Sequence, residues 1–304
     1  MGRPLGVIGV PTSAGAFAPG QEQAPRALRN AGLLEALRAS GVEVRDHGDR
    51  SAWRWRPDRE HPRAQNVGVI VEIVEDTARR VEASMRGGEA TLVLGGDCTV
   101  GIGTVAGHAA ADERVGLVYF DTHADLNVPD SVSEGALDWM GMAHMIDERG
   151  AVRALVDAGP RAPLMDPTRV LLFAWGPDQA TAFEREVIER RQISVIAVEE
   201  VAADPAGAAA RARALIEPRC DRLLVHFDVD VIDFTDTPLS ENWGRNEGLS
   251  FQHALQALDV LAASPLFSGL TITELNPDHA EQGAGSIERF AARVAAALTR
   301  ALTD

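Results

Sequence analysis

This chain of 304 residues has few cysteines, no net positive charge and no long apolar segments. Two cysteines, Cys98 and Cys220, are too few for a disulfide scaffold and are typical of a reducing compartment. A formal net charge of −16 argues against nucleic acid or an anionic membrane surface as a partner. It suits a cationic small-molecule substrate, and it is equally expected of a surface that only keeps the protein soluble. Residues 1–30 lack the pattern of a secretory signal, and no apolar run approaches membrane-spanning length. We therefore expect a soluble protein of the cytoplasm.

Short apolar runs alternate with amphipathic segments along the whole chain. Helical spacing of apolar residues predicts helices over residues 24–40, 71–85, 183–190, 206–216, 251–262 and 287–302. The strand candidates are residues 5–10, 42–45, 91–94, 115–120, 170–174, 193–198, 223–227 and 270–275. This alternation indicates a parallel sheet with helices on both faces, in which ligands bind beyond the carboxyl ends of the strands.

Potential metal ligands follow two of the predicted strands. Three of them occupy alternate positions directly after one strand: Asp121, His123 and Asp125. A second acidic pair ends a strand about a hundred residues later: Asp228 and Asp230. Carboxylates crowded at strand ends repel one another unless a cation neutralises them. Carboxylate oxygens with one imidazole suit Mn, and less specifically Zn, Fe or Ni. The two clusters predict a shared two-metal site with hydrolytic chemistry.

Two more residues stand near these strand ends. Glu274 lies near the end of the last predicted strand, where its two oxygens can match a guanidinium. His226 shares the strand face of Asp228 and Asp230, and we interpret it as a core histidine or one that supports the metal ligands.

A glycine-rich turn offers a competing interpretation. Gly95, Gly96 and Asp97 follow a predicted strand, and further glycines follow them, as in a dinucleotide-binding fold. The spacing is not G-x-G-x-x-G, and this interpretation leaves His123 and Asp125 without a role. The oxidoreductase hypothesis therefore ranks below the metal site.

Taken together, these segments resemble the arginase–agmatinase (ureohydrolase) family over nearly the whole chain. The family's Asp-Ala-His-x-Asp-x-Asn pattern corresponds to residues 121–127, and its Phe-Asp-x-Asp-x-x-Asp pattern to residues 227–233. The resemblance implies a single domain over residues 1–304, with a three-layer α/β/α fold around a mostly parallel sheet of about eight strands. It also implies a binuclear Mn site, hydrolysis of a C–N bond in a guanidino or related group, and a homotrimer or homohexamer.

The resemblance also implies roles for individual residues. One metal would take Cys98, Asp121, Asp125 and Asp228, and the other would take Asp121, His123, Asp228 and Asp230. Asp125 would stabilise the tetrahedral intermediate, and Glu274 would hold the guanidinium. The family places a proton-transferring histidine where Asp138 stands, so Asp138 can act as an acid only if burial raises its pKa. The far end of the substrate would meet Asn127, Glu134 and Asp178.

Some of these positions depart from the family pattern. Cys98 replaces a histidine, and a thiolate suits Zn better than Mn. Glu134 falls where arginases have a serine near the substrate carboxylate, and a glutamate there would repel that group. It favours a decarboxylated or extended amine over arginine.

We therefore expect a binuclear-metal hydrolase that releases urea or a substituted urea from a guanidino compound, such as hydroxyarginine, agmatine or a guanidino acid. A formimino compound is a further candidate. The alternative is a non-catalytic binding or scaffold protein with a degraded metal site, which Cys98 and Asp138 support. Retention of the crowded carboxylates opposes the alternative, because a decaying site need not keep them.

Overall fold

A computed structural model describes residues 2–110, 114–280 and 285–303 of the chain. One sheet contains strands β1 (Leu5–Gly9), β2 (Val44–Asp49), β3 (Ala90–Leu94), β4 (Val115–Phe120), β5 (Val170–Trp175), β6 (Ser194–Ala197), β7 (Arg222–Asp228) and β8 (Phe267–Thr273). The strands lie in the order β2-β1-β3-β8-β7-β4-β5-β6, and every neighbouring pair is parallel. The prediction of a mostly parallel sheet of about eight strands is confirmed.

The α-helices follow the strands along the chain. They are α1 (Ala24–Asn30), α2 (Leu33–Ala39), α3 (Val67–Arg86), α4 (Val100–Ala109), α5 (Gly141–Met145), α6 (Arg153–Val156), α7 (Ala182–Arg191), α8 (Val198–Ala203), α9 (Pro205–Ile216), α10 (Phe251–Ala262) and α11 (Ser286–Thr303). Within the described residues, no helix combines the length and the apolar character needed to cross a membrane.

Two hydrophobic cores lie on opposite faces of the sheet. Leu117 and Tyr119 of β4 belong to one core, whereas Val118 and Phe120 of the same strand belong to the other. Helices α3 to α7 contribute to the first core, and α1, α2 and α8 to α11 contribute to the second. Successive side chains of a strand point to opposite faces, so a strand covered on both faces has a continuous apolar sequence. The predicted three-layer α/β/α architecture is confirmed.

The prediction of one helix over residues 24–40 is wrong. Gly32 adopts a left-handed conformation with φ 82°, and it separates α1 from α2. Glycine reaches this conformation without the steric cost that a Cβ imposes, so the chain turns there although the apolar spacing continues.

Four neighbouring strands carry the predicted ligands at their carboxyl ends. Strands β3, β8, β7 and β4 lie side by side in the middle of the sheet. The turn after β3 contains Cys98, Glu274 follows β8, Asp228 ends β7, and Asp121 follows β4. Parallel strands end at the same edge of a sheet, so segments that are far apart in sequence converge at one place.

A buried histidine outside this region predicts how stability depends on pH. His108 of α4 is fully buried, and its Nε2 lies 3.0 Å from the Thr91 hydroxyl. Burial, followed by the charge of Arg222, lowers the pKa of His108 to about 3. An unfolded histidine binds a proton below about pH 6.5, while folded His108 stays neutral down to about pH 3, so stability should fall as the pH drops through this window.

We expect His108 to account for roughly 2 kcal/mol of the unfolding free energy lost between about pH 7 and about pH 5. Urea unfolding at the two pH values should therefore show a smaller loss in the His108→Gln variant than in the wild type. His253→Gln, on the partly exposed face of α10, is the matched control and should keep the wild-type loss. Equal losses in wild type and His108→Gln would refute this assignment.

Candidate active site

A cavity of about 400 Å³ opens above the carboxyl ends of the central strands. Its nineteen lining residues are Phe17, Cys98, Asp121, His123, Asp125, Asn127, Glu134, Ala136, Asp138, Trp139, Gln179, Thr181, Glu184, Asp228, Asp230, Glu241, Asn242, Glu247 and Glu274. Ten of them are Asp or Glu, and no described lining residue is Arg or Lys. The cavity is therefore suited to cations.

The first donor cluster surrounds the thiol of Cys98. Its Sγ donates to Asp228 Oδ2 at 2.8 Å and lies 3.3 Å from His226 Nε2. Together with Asp121, these residues place four potential ligand atoms within 4.8 Å of one another. All four residues are buried. Burial, followed by the Asp228 carboxylate, raises the pKa of the Cys98 thiol well above its usual value.

The second donor cluster contains Asp121, His123 and Asp230. His123 Nδ1 lies 3.1 Å from Asp230 Oδ2 and 3.3 Å from Asp121 Oδ1. Burial alone would lower the pKa of His123, but the carboxylates of Asp230 and Asp121 raise it well above its usual value. Because Asp121 belongs to both clusters, two ions bound there would share it as a ligand.

The carboxylates of these clusters fit divalent cations. Asp121 Oδ2 and Asp230 Oδ1 are buried, and neither has a hydrogen-bond partner among the described residues. Burial and the neighbouring Asp230 raise the pKa of Asp121 to about 7. Burial and Asp230 also raise the pKa of Asp228 well above its usual range. Buried like charges this close need a cation, and the unpaired oxygens are ready to bind one.

Asp125 lines the cavity without joining either donor cluster. Its backbone is left-handed, with φ 51°, and its Oδ2 accepts a hydrogen bond from the Tyr119 hydroxyl. Burial and the Asp121 charge raise the pKa of Asp125 well above its usual range. The resemblance implied Asp125 as a ligand of the first metal; in the structure, His226 occupies the fourth place in that cluster.

Glu274 is held rigidly at the same strand edge. Its Oε1 accepts from the Cys98 amide at 2.8 Å, and its Oε2 accepts from Gln21 Nε2 at 3.0 Å. The backbone is left-handed, with φ 61°, and its amide donates to the Gly96 carbonyl at 2.8 Å. Uncommon backbone conformations of this kind cluster at functional sites. A carboxylate with both oxygens fixed can still accept further bonds, because it has about four lone-pair sites.

Asp138 and Asp97 differ in their surroundings. Asp138 is half-buried, lines the cavity and accepts a hydrogen bond from the Trp139 amide. Burial and the nearby Asp97 raise the pKa of Asp138 well above its usual range. Asp97 is fully buried outside the cavity lining, and it accepts from the Gly15 and Thr99 amides and so stabilises the turn after β3.

The predicted substrate contacts separate into two groups. Asn127 and Glu134 line the cavity, whereas Asp178 is exposed and lines a neighbouring depression instead. Residues of the cavity wall that were not predicted include Gln179, Thr181, Glu184, Glu241, Asn242 and Glu247. Thr181 and Glu184 form a capping box at the start of α7, which predicts a helix start but not a site. The other four of these lie in loops, whose sequences carry no periodicity.

Comparison with known proteins agrees with this architecture. The sequence profile of the Arginase family matches residues 3–303. The arginase of Bacillus caldovelox is 28% identical over 282 residues, covering 90% of this chain and 91% of that protein. Arginase-1 of Homo sapiens is 28% identical over 284 residues, covering 90% of this chain and 85% of that protein. The solved structure of the Bacillus caldovelox arginase matches with a TM-score of 0.85 and 25% identity over 98% of each chain. The chain therefore belongs to the arginase family of metal-dependent hydrolases.

Proposed function

We propose that this enzyme hydrolyses a C–N bond of a guanidino group and releases urea or a substituted urea. One observation carries the proposal: Glu274 is fixed by the Cys98 amide beside two donor clusters that share Asp121, within one acidic cavity. By the family pattern, one metal would be held by Cys98, Asp121 and Asp228 with Asp125 as a fourth ligand, and the other by Asp121, His123, Asp228 and Asp230.

Two divalent cations bound in the clusters would lower the pKa of water enough to supply hydroxide near neutral pH. The chain's own residues supply the remaining steps of the reaction. Glu274 binds the guanidinium through its two oxygens and presents the planar carbon. Asp125 holds the proton of the attacking water, and the hydrogen bond from Tyr119 fixes its orientation. Asp138, whose pKa is raised by burial and the nearby Asp97, donates a proton to the leaving amine.

The wall of the cavity favours a substrate with a second cation in place of a carboxylate. Glu134, Glu184 and Glu247 line it, and none of the described lining residues is an Arg or Lys that could pair with a carboxylate. A guanidino amine such as agmatine is therefore favoured over arginine, and hydroxyarginine and guanidino acids rank lower.

A panel of substrates tests this proposal. Enzyme loaded with Mn, Zn or Ni is offered agmatine, arginine, guanidinobutyrate, hydroxyarginine and formiminoglutamate, and urea, hydroxyurea and formamide are measured. We expect the highest kcat/KM for agmatine. Turnover of formiminoglutamate alone would replace the guanidino class with a formimino one. No product from any pairing would favour the non-catalytic scaffold.

Neutralising Glu134 should relax discrimination against carboxylates. In Glu134→Gln, the ratio of kcat/KM for arginine to that for agmatine should rise about two- to fivefold, because exposed charges interact weakly through water. Glu189→Gln, exposed on α7 and outside the cavity lining, is the matched control and should leave the ratio unchanged. An unchanged ratio in Glu134→Gln would remove this residue from the substrate-binding surface.

We also propose that the enzyme acts in the cytoplasm as a homotrimer or homohexamer. Cys98 and Cys220 are both buried and unpaired, which suits a reducing compartment. The family resemblance supports the oligomeric state. Sedimentation velocity would test it, and a monomer at micromolar concentration would contradict it.

A further inference from the structure

We propose that the first metal is bound by a thiolate–imidazole pair, Cys98 Sγ and His226 Nε2, together with carboxylates of Asp121 and Asp228. This site would select Zn²⁺ or Co²⁺ over Mn²⁺. The inference rests on the proposed function only for the presence of metal, and not on the reaction or its substrate. It gives His226 a ligand role in place of the supporting one that its sequence position suggested.

The spacing of the donor atoms fits a single ion. Cys98 Sγ lies 3.3 Å from His226 Nε2 and 2.8 Å from Asp228 Oδ2, and all four donors lie within 4.8 Å of one another. Ligand atoms at about 2.0 to 2.3 Å from a tetrahedral ion are roughly 3.5 Å apart. An ion can therefore enter with small side-chain adjustments, provided that the thiol releases its proton to solvent.

The His226 ring is held in place from several sides. It stacks on Tyr119 with ring centroids 4.2 Å apart and an interplanar angle of 9°. Thr273 Oγ1 lies 3.1 Å from its Nε2. A Cβ at Gly101 would lie 2.8 Å from its Nδ1, so the glycine of α4 leaves the room that the ring occupies. Three elements thus fix an imidazole whose Nε2 faces the Cys98 sulfur.

The two ring nitrogens of the buried His226 have different surroundings. Its Nδ1 faces Gly101, whereas its Nε2 faces Cys98 Sγ and Thr273 Oγ1 at the donor cluster. Asp121 Oδ2, in the same cluster, is buried without a partner among the described residues. A cation between Nε2, Sγ and this oxygen would give the oxygen the partner that it lacks.

The chemistry of the donors decides which ion is preferred. Thiolate and imidazole are softer ligands than carboxylate, and they favour Zn²⁺ and Co²⁺. The second cluster has two carboxylates and one imidazole, a harder set that accommodates Mn²⁺. The first donor cluster therefore prefers Zn²⁺ or Co²⁺, whereas the second accommodates Mn²⁺.

Cobalt substitution tests the thiolate directly. The full-length protein is stripped with a chelator, titrated with Co²⁺ and followed by absorption, with bound metal measured by elemental analysis. We expect a near-ultraviolet sulfur-to-cobalt charge-transfer band in the wild type and in Cys220→Ser, and its loss in Cys98→Ser. Cys220 is a suitable control because it precedes β7, whereas Asp228 ends that strand. Bound cobalt without the band, or a band that persists in Cys98→Ser, would overturn the proposal.

A second variant tests the imidazole. In His226→Gln we expect the charge-transfer band to remain and the visible ligand-field bands to shift, because the metal loses a nitrogen ligand. Losing a residue that only supports the ligands also lowers metal affinity, by about 10- to 100-fold, so affinity alone does not distinguish the two roles. Unchanged ligand-field bands would return His226 to a supporting role, whatever the affinity. If either variant fails to fold, X-ray absorption of the Zn-loaded wild type decides: one sulfur at about 2.3 Å supports the site, and a shell of oxygen and nitrogen alone refutes it.

These readouts are independent of catalysis. A charge-transfer band in a protein that hydrolyses no guanidino compound would uphold the metal site and reject the proposed function. Urea release by a protein without the band would uphold the proposed function and reject this metal site.

Discussion

Replacing Asp125 with asparagine should lower kcat on the order of 10²- to 10⁴-fold, the range expected when a group that handles a proton is lost. Asn matches the shape of Asp and also tolerates the left-handed backbone at φ 51°. Its side-chain oxygen can still accept the hydrogen bond from Tyr119. The variant should therefore remain folded, and the lost activity would report the missing negative charge.

The measurement is urea release at saturating metal, with bound metal determined on the same samples. Asp130→Asn is the matched control, because Asp130 is 91% exposed and lies outside the cavity lining. The same variant separates an enzyme from a scaffold, because only an enzyme has turnover to lose. In either case, removing one of several crowded buried charges should leave the stability of the metal-free protein unchanged or raise it. Wild-type turnover in Asp125→Asn would refute the assigned role.

Replacing Glu274 with glutamine should lower kcat/KM by about 10²- to 10³-fold, because a guanidinium would lose the charge that pairs with it in a buried site. The fold should tolerate the change. Gln can still accept from the Cys98 amide through its oxygen. If its amide nitrogen faces Gln21, rotation of the Gln21 side-chain amide would present Gln21 Oε1, a buried acceptor without a partner among the described residues.

Steady-state kinetics with agmatine, combined with equilibrium binding of guanidinium, would measure this effect. Glu247→Gln removes the same charge from elsewhere in the cavity lining, and it should change kcat/KM by less than about fivefold. A Glu274→Gln variant within that same limit would show that Glu274 does not bind the guanidinium.

The fold was largely predictable because its strands are buried on both faces. Residues 115–120 and 170–174 are continuous apolar runs, and the structure has strands at both positions. The carboxylates also stood out, since Asp121 and Asp228 directly follow or end such runs. A charged residue at that point costs free energy in a sheet covered on both faces, so these two residues could be recognised as candidate site residues from the sequence.

Strand order and loop conformation were not predictable in the same way. Nothing in the local sequence indicates that β8 lies between β3 and β7, although this order brings Glu274 to the Cys98 amide. Gln21 reaches the site from a single 3-10 turn and Asn242 from a loop, and apolar spacing carries no information in such short segments. Asp178 was assigned by alignment alone, and the turn that carries it directs the residue to a neighbouring depression.

The chain contains one tyrosine, and it contacts both His226 of the first donor cluster and Asp125 of the cavity lining. Tyr119 stacks on His226 with one face, and its hydroxyl donates a hydrogen bond to Asp125. Fluorotyrosine incorporation would therefore give a single fluorine NMR resonance from the wall of the metal centre. A diamagnetic ion would shift that resonance and paramagnetic Mn²⁺ would broaden it. The occupancy of the site, and the identity of the ion within it, could thus be followed in the intact protein without any substrate.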